Sequence, residues 1–208
     1  KDVSSSQTEI KSEGYYFITG FDYQGKYIAD FLIRRDGSSL FGPNQRWHTY
    51  YRASGAYRIS QEPWWPIPEI NELKLRYSLG TAGNRPAFTA QYETFNVSAG
   101  VISKGTLGNK DLKPELSTEQ EIGLEVGILE RFLLEFTYAR SVTKDQILQV
   151  PLAGFYGFSS QWKNAGTLES NTIEASLKAF IFQERDMSLS ATLLFDRTRQ
   201  EITDFNLP

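Results

Sequence analysis

The stretch Ser117-Thr118-Glu119-Gln120-Glu121-Ile122-Gly123-Leu124-Glu125-Val126-Gly127-Ile128-Leu129 decides the fold. In an extended chain Ile122, Leu124, Val126 and Ile128 share one face, and Glu121, Gly123, Glu125 and Gly127 share the other. A helix competes for the same residues, because Ile122, Val126, Leu129, Leu133 and Phe136 also recur at helical spacing. That helix would hold two interior glycines four residues apart, each costing about 1 kcal/mol. The alternation carries no such cost, so the segment reads as a strand. Glu130-Arg131 then turns the chain into Phe132, Leu134, Phe136 and Tyr138, which alternate with Leu133, Glu135, Thr137 and Ala139.

The same period extends outward in both directions. Residues 15–23 are aromatic and β-branched, and Gln24-Gly25 separates them from 26–35. There Tyr27, Ala29, Phe31 and Ile33 oppose Ile28, Asp30, Leu32 and Arg34, a hairpin signal. Asp36-Gly37-Ser38-Ser39 and Gly42-Pro43-Asn44 read as a polar loop over 36–45, with Asp and Gly supplying turn angles. A strand over 46–60 follows. Pro63-Trp64-Trp65-Pro66-Ile67-Pro68 cannot pair in a sheet, because proline removes ladder donors. Leu73, Leu75, Tyr77 and Leu79 alternate next, then Ile173, Ala175, Leu177, Ala179 and Ile181, and last Leu189, Ala191, Leu193 and Phe195. The stretch from Thr81 to Glu115 is rich in Gly, Asn, Ser and Lys, too long for an ordinary connection, and reads as functional or partly mobile, and another polar, glycine-containing loop runs over 145–166.

These segments make roughly eight strands of about 10–14 residues, where soluble strands average about 5–6 and membrane-barrel strands need about 9–11. Short turns near Gly25, Glu130 and Glu184 alternate with long connections over 36–45, 81–116 and 145–167. Such asymmetry marks the two rims of an outer-membrane barrel, with long loops outside. The strand from Tyr15 then runs inward and the one ending near Arg199 runs outward. Alternation alone also fits a soluble antiparallel sheet, so length and loop asymmetry discriminate. Tyr15, Tyr16, Trp47, Trp64, Trp65, Phe132 and Phe182 lie near strand ends and are candidates for interfacial girdles, with plain hairpin packing as the alternative.

Composition bounds the chemistry. The 208 residues carry 25 acidic and 22 basic side chains, a net charge of -3, one His and no Cys. These counts exclude disulfide frameworks, thiolate metal sites, cysteine nucleophiles and multi-His metal centres. A mixed, slightly acidic balance leaves no footprint for nucleic acid. The mean hydropathy is -0.41, and no 18-residue apolar run offers a transmembrane helix. Lys1-Asp2-Val3-Ser4 is no signal peptide, so the chain reads as the interior of something longer. No nucleophile elbow, P-loop or dinucleotide fingerprint occurs. Glu119, Glu121 and Glu125 read as a polar wall rather than an acid–base pair, with Arg34, Arg52, Arg58, Lys74 and Arg76 available to pair with them. His48 reads as a wall residue beside Trp47, without a metal role.

Several strings resemble the SusC/RagA family of TonB-dependent outer-membrane transporters. Arg34-Arg35-Asp36-Gly37-Ser38-Ser39-Leu40-Phe41-Gly42-Pro43-Asn44-Gln45-Arg46-Trp47 is similar to the family's RRDGSSRFGxNxRW. Ala56-Tyr57-Arg58-Ile59-Ser60-Gln61-Glu62-Pro63-Trp64 resembles its aWRIsEEpf, and Leu73 to Asn84 its LKLRaSyGtTGN. Gly108-Asn109-Lys110-Asp111-Leu112-Lys113-Pro114-Glu115 resembles GNpdLKpE and leads into Gln120-Glu121-Ile122-Gly123-Leu124-Glu125. Asn164-Ala165-Gly166 and Ile173-Glu174 match a later motif, but Ser170-Asn171-Thr172 stands where Asn-Lys-Gly is usual, which touches the turn geometry expected near 170. The resemblance covers roughly residues 26–178.

The resemblance implies an all-β fold, part of a large antiparallel transmembrane β-barrel of about 22 strands around a plug. Residues 1–208 would be one segment of that single barrel domain, with plug, signal peptide and final strand outside it. It implies nutrient import across the bacterial outer membrane, no enzymatic activity and no cofactor. The implied partners are a SusD-like surface lipoprotein, TonB through the plug region, outer-membrane lipid and a glycan or peptide nutrient, but no nucleic acid. The motif residues Arg35, Asp36, Gly37, Ser38, Gly83, Asn84, Leu112, Lys113, Pro114 and Glu115 are read as structural. Pro114 fixes the start of a strand, and Glu115 accepts hydrogen bonds from loop amides. Tyr92, Phe95, Phe155, Tyr156, Phe158 and Trp162 are the candidate ligand-binding aromatics, since ring faces stack on sugars and apolar peptide groups. The alternative is a soluble β-sandwich binding module at the cell surface, which would bury Ile122, Leu124, Phe136 and Leu177 between two sheets.

Overall fold

The computed structural model describes residues 7–205. Thirteen strands follow in order: β1 (Ser12–Tyr23), β2 (Tyr27–Ser38), β3 (Trp47–Arg58), β4 (Ile70–Asn84), β5 (Phe95–Ser98), β6 (Val101–Lys104), β7 (Thr106–Leu107), β8 (Glu115–Ile128), β9 (Phe132–Lys144), β10 (Ile147–Pro151), β11 (Ser160–Asn164), β12 (Thr167–Gln183) and β13 (Ser188–Asp204). Eight of them form one sheet in the order β1-β2-β3-β4-β8-β9-β12-β13. Each long strand pairs antiparallel with the next long strand in the chain. Short turns join them at one end and long connections at the other, as the sequence predicts.

Two of the short turns share one geometry. Gln24 and Gly25 both take positive φ, and the Lys26 amide donates to the Tyr23 carbonyl at 3.0 Å. Two consecutive left-handed residues match the right-handed twist of the flanking strands. Leu129 and Glu130 repeat it, with the Arg131 amide donating to Ile128 at 3.0 Å. The second turn lies one residue before the predicted Glu130-Arg131, and it uses neither Gly nor Asn.

Direct cross-strand partners share a face, so the registers define two surfaces. One row runs Leu75, Leu124, Phe136, Ala175, Phe195, and the next Tyr77, Ile122, Tyr138, Ile173, Arg197. The opposite surface carries Lys74, Glu125 and Glu135 in one row, and Arg76, Gly123, Thr137, Glu174 and Asp196 in another. Neither surface is covered. Ile122 is 46% exposed, and Phe136 and Leu177 are 40% exposed. The sandwich alternative required these side chains between two sheets, but all eight long strands lie in one sheet, and it is excluded.

The hydrophobic core lies elsewhere. Among the described residues the buried apolar ones are Leu40, Phe41, Ala90, Leu112, Val150, Phe158 and Ala165, every one in a long connection. A small sheet of β10, β11 and β7 ties two of these connections together, and β5 pairs with β6 as a separate hairpin.

Several boundaries differ from the sequence reading. β2 runs on through Ser38, and Gly37 pairs with Trp47, so the expected 36–45 loop begins later. The angle at Gly37 is not left-handed. A Cβ there would sit 3.0 Å from the Trp47 ring, so close approach rather than turn chemistry requires this glycine. β4 continues to Asn84 and β8 starts at Glu115, which trims the expected 81–116 loop. Positions 170–172 lie inside β12, paired on both sides, and make no turn. Tyr16 pairs with Arg34 on the polar surface, so it does not join Tyr15 and Trp47 on the apolar one.

Candidate functional site

The polar surface is a lattice of ion pairs. Arg34 Nε lies 2.6 Å from Asp36, Arg52 2.6 Å from Asp30, Arg58 2.7 Å from Glu72, and Lys74 3.2 Å from Glu125. Arg76 spans the widest gap. Its guanidinium donates to Glu121 at 2.9 Å and to the Thr137 hydroxyl two strands away at 2.7 Å, with Glu125 at 3.5 Å. The path crosses Gly123, where any side chain would collide with the guanidinium. Gly123 in the fold-deciding stretch is therefore the floor on which Arg76 lies. The predicted pairing with Glu121 and Glu125 holds for Lys74 and Arg76, whereas Arg34, Arg52 and Arg58 pair with Asp36, Asp30 and Glu72, and Glu119 takes no part among the described residues. Glu135, Glu174 and Asp196 likewise carry no cationic partner among the described residues. Most of the basic groups sit on β2–β4, with Lys178 on β12, and the surplus carboxylates on β8–β13.

At the short-turn end, Tyr27 and Tyr57 stack with ring centroids 5.0 Å apart. Tyr27 donates its hydroxyl to Glu62 at 2.6 Å, and the Lys26 ammonium lies 3.6 Å from the same carboxylate. The Tyr27 hydrogen bond, joined by Lys26 and Tyr57, holds the Glu62 carboxyl below its ordinary range against the opposing cost of desolvation. The Trp65 indole donates to the Ile67 and Ile70 carbonyls at 2.8 and 3.0 Å, so it fastens the proline-rich turn, while Trp64 stays exposed. At the opposite end Tyr15 stacks on Trp47 at 6.1 Å, and the Arg35 guanidinium lies 5.6 Å over the Trp47 ring.

The motif residues assemble the cap at the long-connection end. Asn84 donates to the Glu115 carboxylate at 2.8 Å, and the Ile147 amide donates to its other oxygen at 2.9 Å. Glu115 thus joins β4, β8 and the third long connection. Gly83 lies under the Tyr50 ring, and Gly42 lies against the Lys110 backbone, with no room for a side chain at either. Leu112 is 2% exposed, Pro114 and Ser38 are buried, and Lys113 is exposed. The Lys113 amide donates to the Asn164 side chain at 2.9 Å, and Asn164 returns a bond to the Lys113 carbonyl at 2.9 Å.

The six candidate aromatics do not form one platform. Phe155 and Tyr156 stack at 4.3 Å, and Phe155 projects furthest, at 82% exposure. Tyr92 pairs with Phe88 at 5.7 Å and remains exposed. Phe95 leans on Phe158 at 6.3 Å, but Phe158 is only 9% exposed, with the Lys104 ammonium 4.8 Å over its ring. Phe158 is a packing residue of the cap. Trp162 is half-buried in β11, and its carbonyl accepts from Asn109 at 2.8 Å.

Residues that sequence reading passed over fasten the cap. Gln91 donates to the Ser39 carbonyl at 3.0 Å, and Gln161 to the Gly108 carbonyl at 3.1 Å. Asn109 binds Trp162, and its amide donates to Ala90 at 2.9 Å. Uncharged amides in loops carry no periodicity, so only the family-like setting of Asn109 and Asn164 pointed toward them. Among the described residues no group of three or more His, Asp or Glu is placed to hold a metal ion.

Comparison with known proteins places this geometry. The family described as TonB dependent receptor-like, beta-barrel matches residues 2–207. The chain is 28% identical to TonB-dependent receptor P26 of Formosa agariphila, over 97% of this chain and 22% of that protein. It is 25% identical to TonB-dependent receptor SusC of Bacteroides thetaiotaomicron, over 91% of this chain and 20% of that protein. The chain thus spans about a fifth of these relatives. The RagAB peptide importer in its 'closed-closed' state superposes with a TM-score of 0.84 at 28% identity, over 94% of this chain and 22% of that one. The siderophore receptor PirA of Pseudomonas aeruginosa shares the fold at a TM-score of 0.64 and 15% identity.

Proposed function

The chain belongs to the TonB dependent receptor-like β-barrel family, and on that premise we propose that the protein containing it imports a nutrient across the bacterial outer membrane. Its place is the outer membrane, and the described sheet is a wall segment of a SusC/RagA-like barrel. In the proposal, residues 1–208 belong to one barrel domain and supply wall and outer rim.

One observation carries this reading. The eight-stranded sheet has no core of its own, yet one face is apolar and the other is laced with ion pairs. A sheet in water hides its apolar face, whereas a barrel wall turns it to lipid and keeps the polar face inward. The open edges β1 and β13 pair with further strands of the same barrel, since unpaired ladder groups are untenable in hydrocarbon.

The nutrient is a glycan or peptide fragment in this reading, because the relatives include SusC and the structural neighbours include a peptide importer. TonB acts through the plug, and a SusD-like lipoprotein seats on the outer rim, where Tyr92, Phe95, Phe155 and Tyr156 are placed to touch it or the nutrient. The relatives are receptors and importers, and the proposed role is transport without catalysis.

The test is deletion of the full-length gene in the source bacterium, followed by growth on a panel of single polysaccharide and peptide sources and by membrane fractionation of the wild type. Import predicts a protein confined to the outer-membrane fraction and growth lost on a restricted set of sources. Recovery of the protein from the soluble fraction, or unchanged growth on every source, overturns the reading.

A further inference from the structure

A cavity of about 470 Å³ opens on the polar surface at the long-connection end of β1–β4. Arg34, Arg46, Arg52 and Arg85 are among the residues that line it, with Glu13 and Asp36 as the acidic ones. Arg34 and Arg52 are engaged with Asp36 and Asp30, and Glu13 accepts the Tyr15 hydroxyl. Arg46 and Arg85 have no acidic partner among the described residues. The floor is built rather than incidental. Tyr50 is held over Gly83, and His48 is fixed by its Nε2 contact to the Gln45 carbonyl at 2.7 Å and by the Phe41 ring at 5.6 Å.

We propose that this cavity is a binding subsite for a carboxylate group of the imported nutrient, held between Arg46 and Arg85. The proposal rests on the import reading above and adds the chemical class of the cargo. A guanidinium presents parallel N–H donors that match the two oxygens of a carboxylate, a geometry lysine does not offer. Two such forks left free beside two already paired ones give net positive charge in a concave site, where the field is focused beyond that at a flat surface.

The experiment uses the full-length protein purified in detergent, wild type and the R46Q/R85Q double variant. Heat-modifiable migration on gels reports that both are folded barrels. Four probes are titrated calorimetrically: tetragalacturonate, its neutral methyl ester, tetraglutamate and tetraglutamine. One acidic probe is expected to bind at least about tenfold more tightly than its own neutral partner. R46Q/R85Q is expected to remove that excess and to leave the neutral probe unchanged. The subsite is overturned if neither acid exceeds its neutral partner, or if the double variant keeps the excess. A structure of the complete protein with a carboxylate of its own plug seated between Arg46 and Arg85 also overturns it. Those outcomes leave a membrane-confined importer intact, whereas a soluble protein in fractionation overturns the import reading itself.

Discussion

The wall and the cap are held together by different physics. The wall is a ladder of backbone hydrogen bonds with side-chain ion pairs on one surface and exposed apolar groups on the other. The cap is a conventional folded part: three connections distant in sequence carry the buried side chains of Leu40, Phe41, Ala90, Leu112, Val150, Phe158 and Ala165. Lipid replaces a core for the first. The second sits beyond the lipid and must make its own.

Substitutions sharpen the contrast. The largest effect is expected in the cap. Leu112→Ala empties a site that is 2% exposed and should cost about 2–5 kcal/mol of cap stability. Limited proteolysis of the full-length protein should then cut within 85–114 or 145–166, while the barrel still shows heat-modifiable migration. Next is the outward face of the wall. Leu177→Arg places a charge in the apolar row between Leu134 and Leu193, and refolding into lipid vesicles should lose about 2–4 kcal/mol. Ser176→Arg, one residue away on the polar surface, should change stability by less than about 0.5 kcal/mol. Equal penalties at 176 and 177 would contradict the assignment of faces.

Glu115 joins the two regions. Glu115→Ala leaves the Asn84 amide and the Ile147 backbone amide without their acceptor. A loss of about 1–3 kcal/mol is expected from chemical denaturation in detergent, with the cap melting before the wall. The smallest effect concerns the short-turn end. The Glu62 carboxyl is held below its ordinary range mainly by the Tyr27 hydroxyl. A depressed folded value means the stabilisation is complete above the free carboxylate range and is lost as pH falls through the folded value. Acidification from pH 6 to below about 4 should therefore raise hydrogen exchange at 59–69, and Tyr27→Phe should flatten that response.

The wall was legible in the sequence because its rule is local. A period of two needs only neighbouring residues, and Ile122-Gly123-Leu124-Glu125-Val126 states it unaided. Strand ends were less legible. Ser38 and Asn84 are polar residues that look like loop and yet pair in the ladder, since a rim strand beyond lipid has no need of apolar residues. The turn at Leu129-Glu130 carries no glycine to announce itself. The cap was legible only where motifs marked it. Nothing local says that Leu112, Val150 and Phe41 are buried, because contacts across long separations leave no period. Phe158 shows the cost: as a loop aromatic it looked like a ligand-stacking group, and the structure spends it on packing. The free forks of Arg46 and Arg85 were unreadable for a related reason, since their significance lies in which other arginines already have partners.

Because Asn164 clasps Lys113, Gln91 clasps Ser39, and Gly42 abuts Lys110, the three long connections form a single interlocked unit. Transplanting one of them from a relative to re-target the cargo would strip the other two of their seats. Any exchange of these connections is therefore expected to succeed only as a trio, with the staves beneath left as they are.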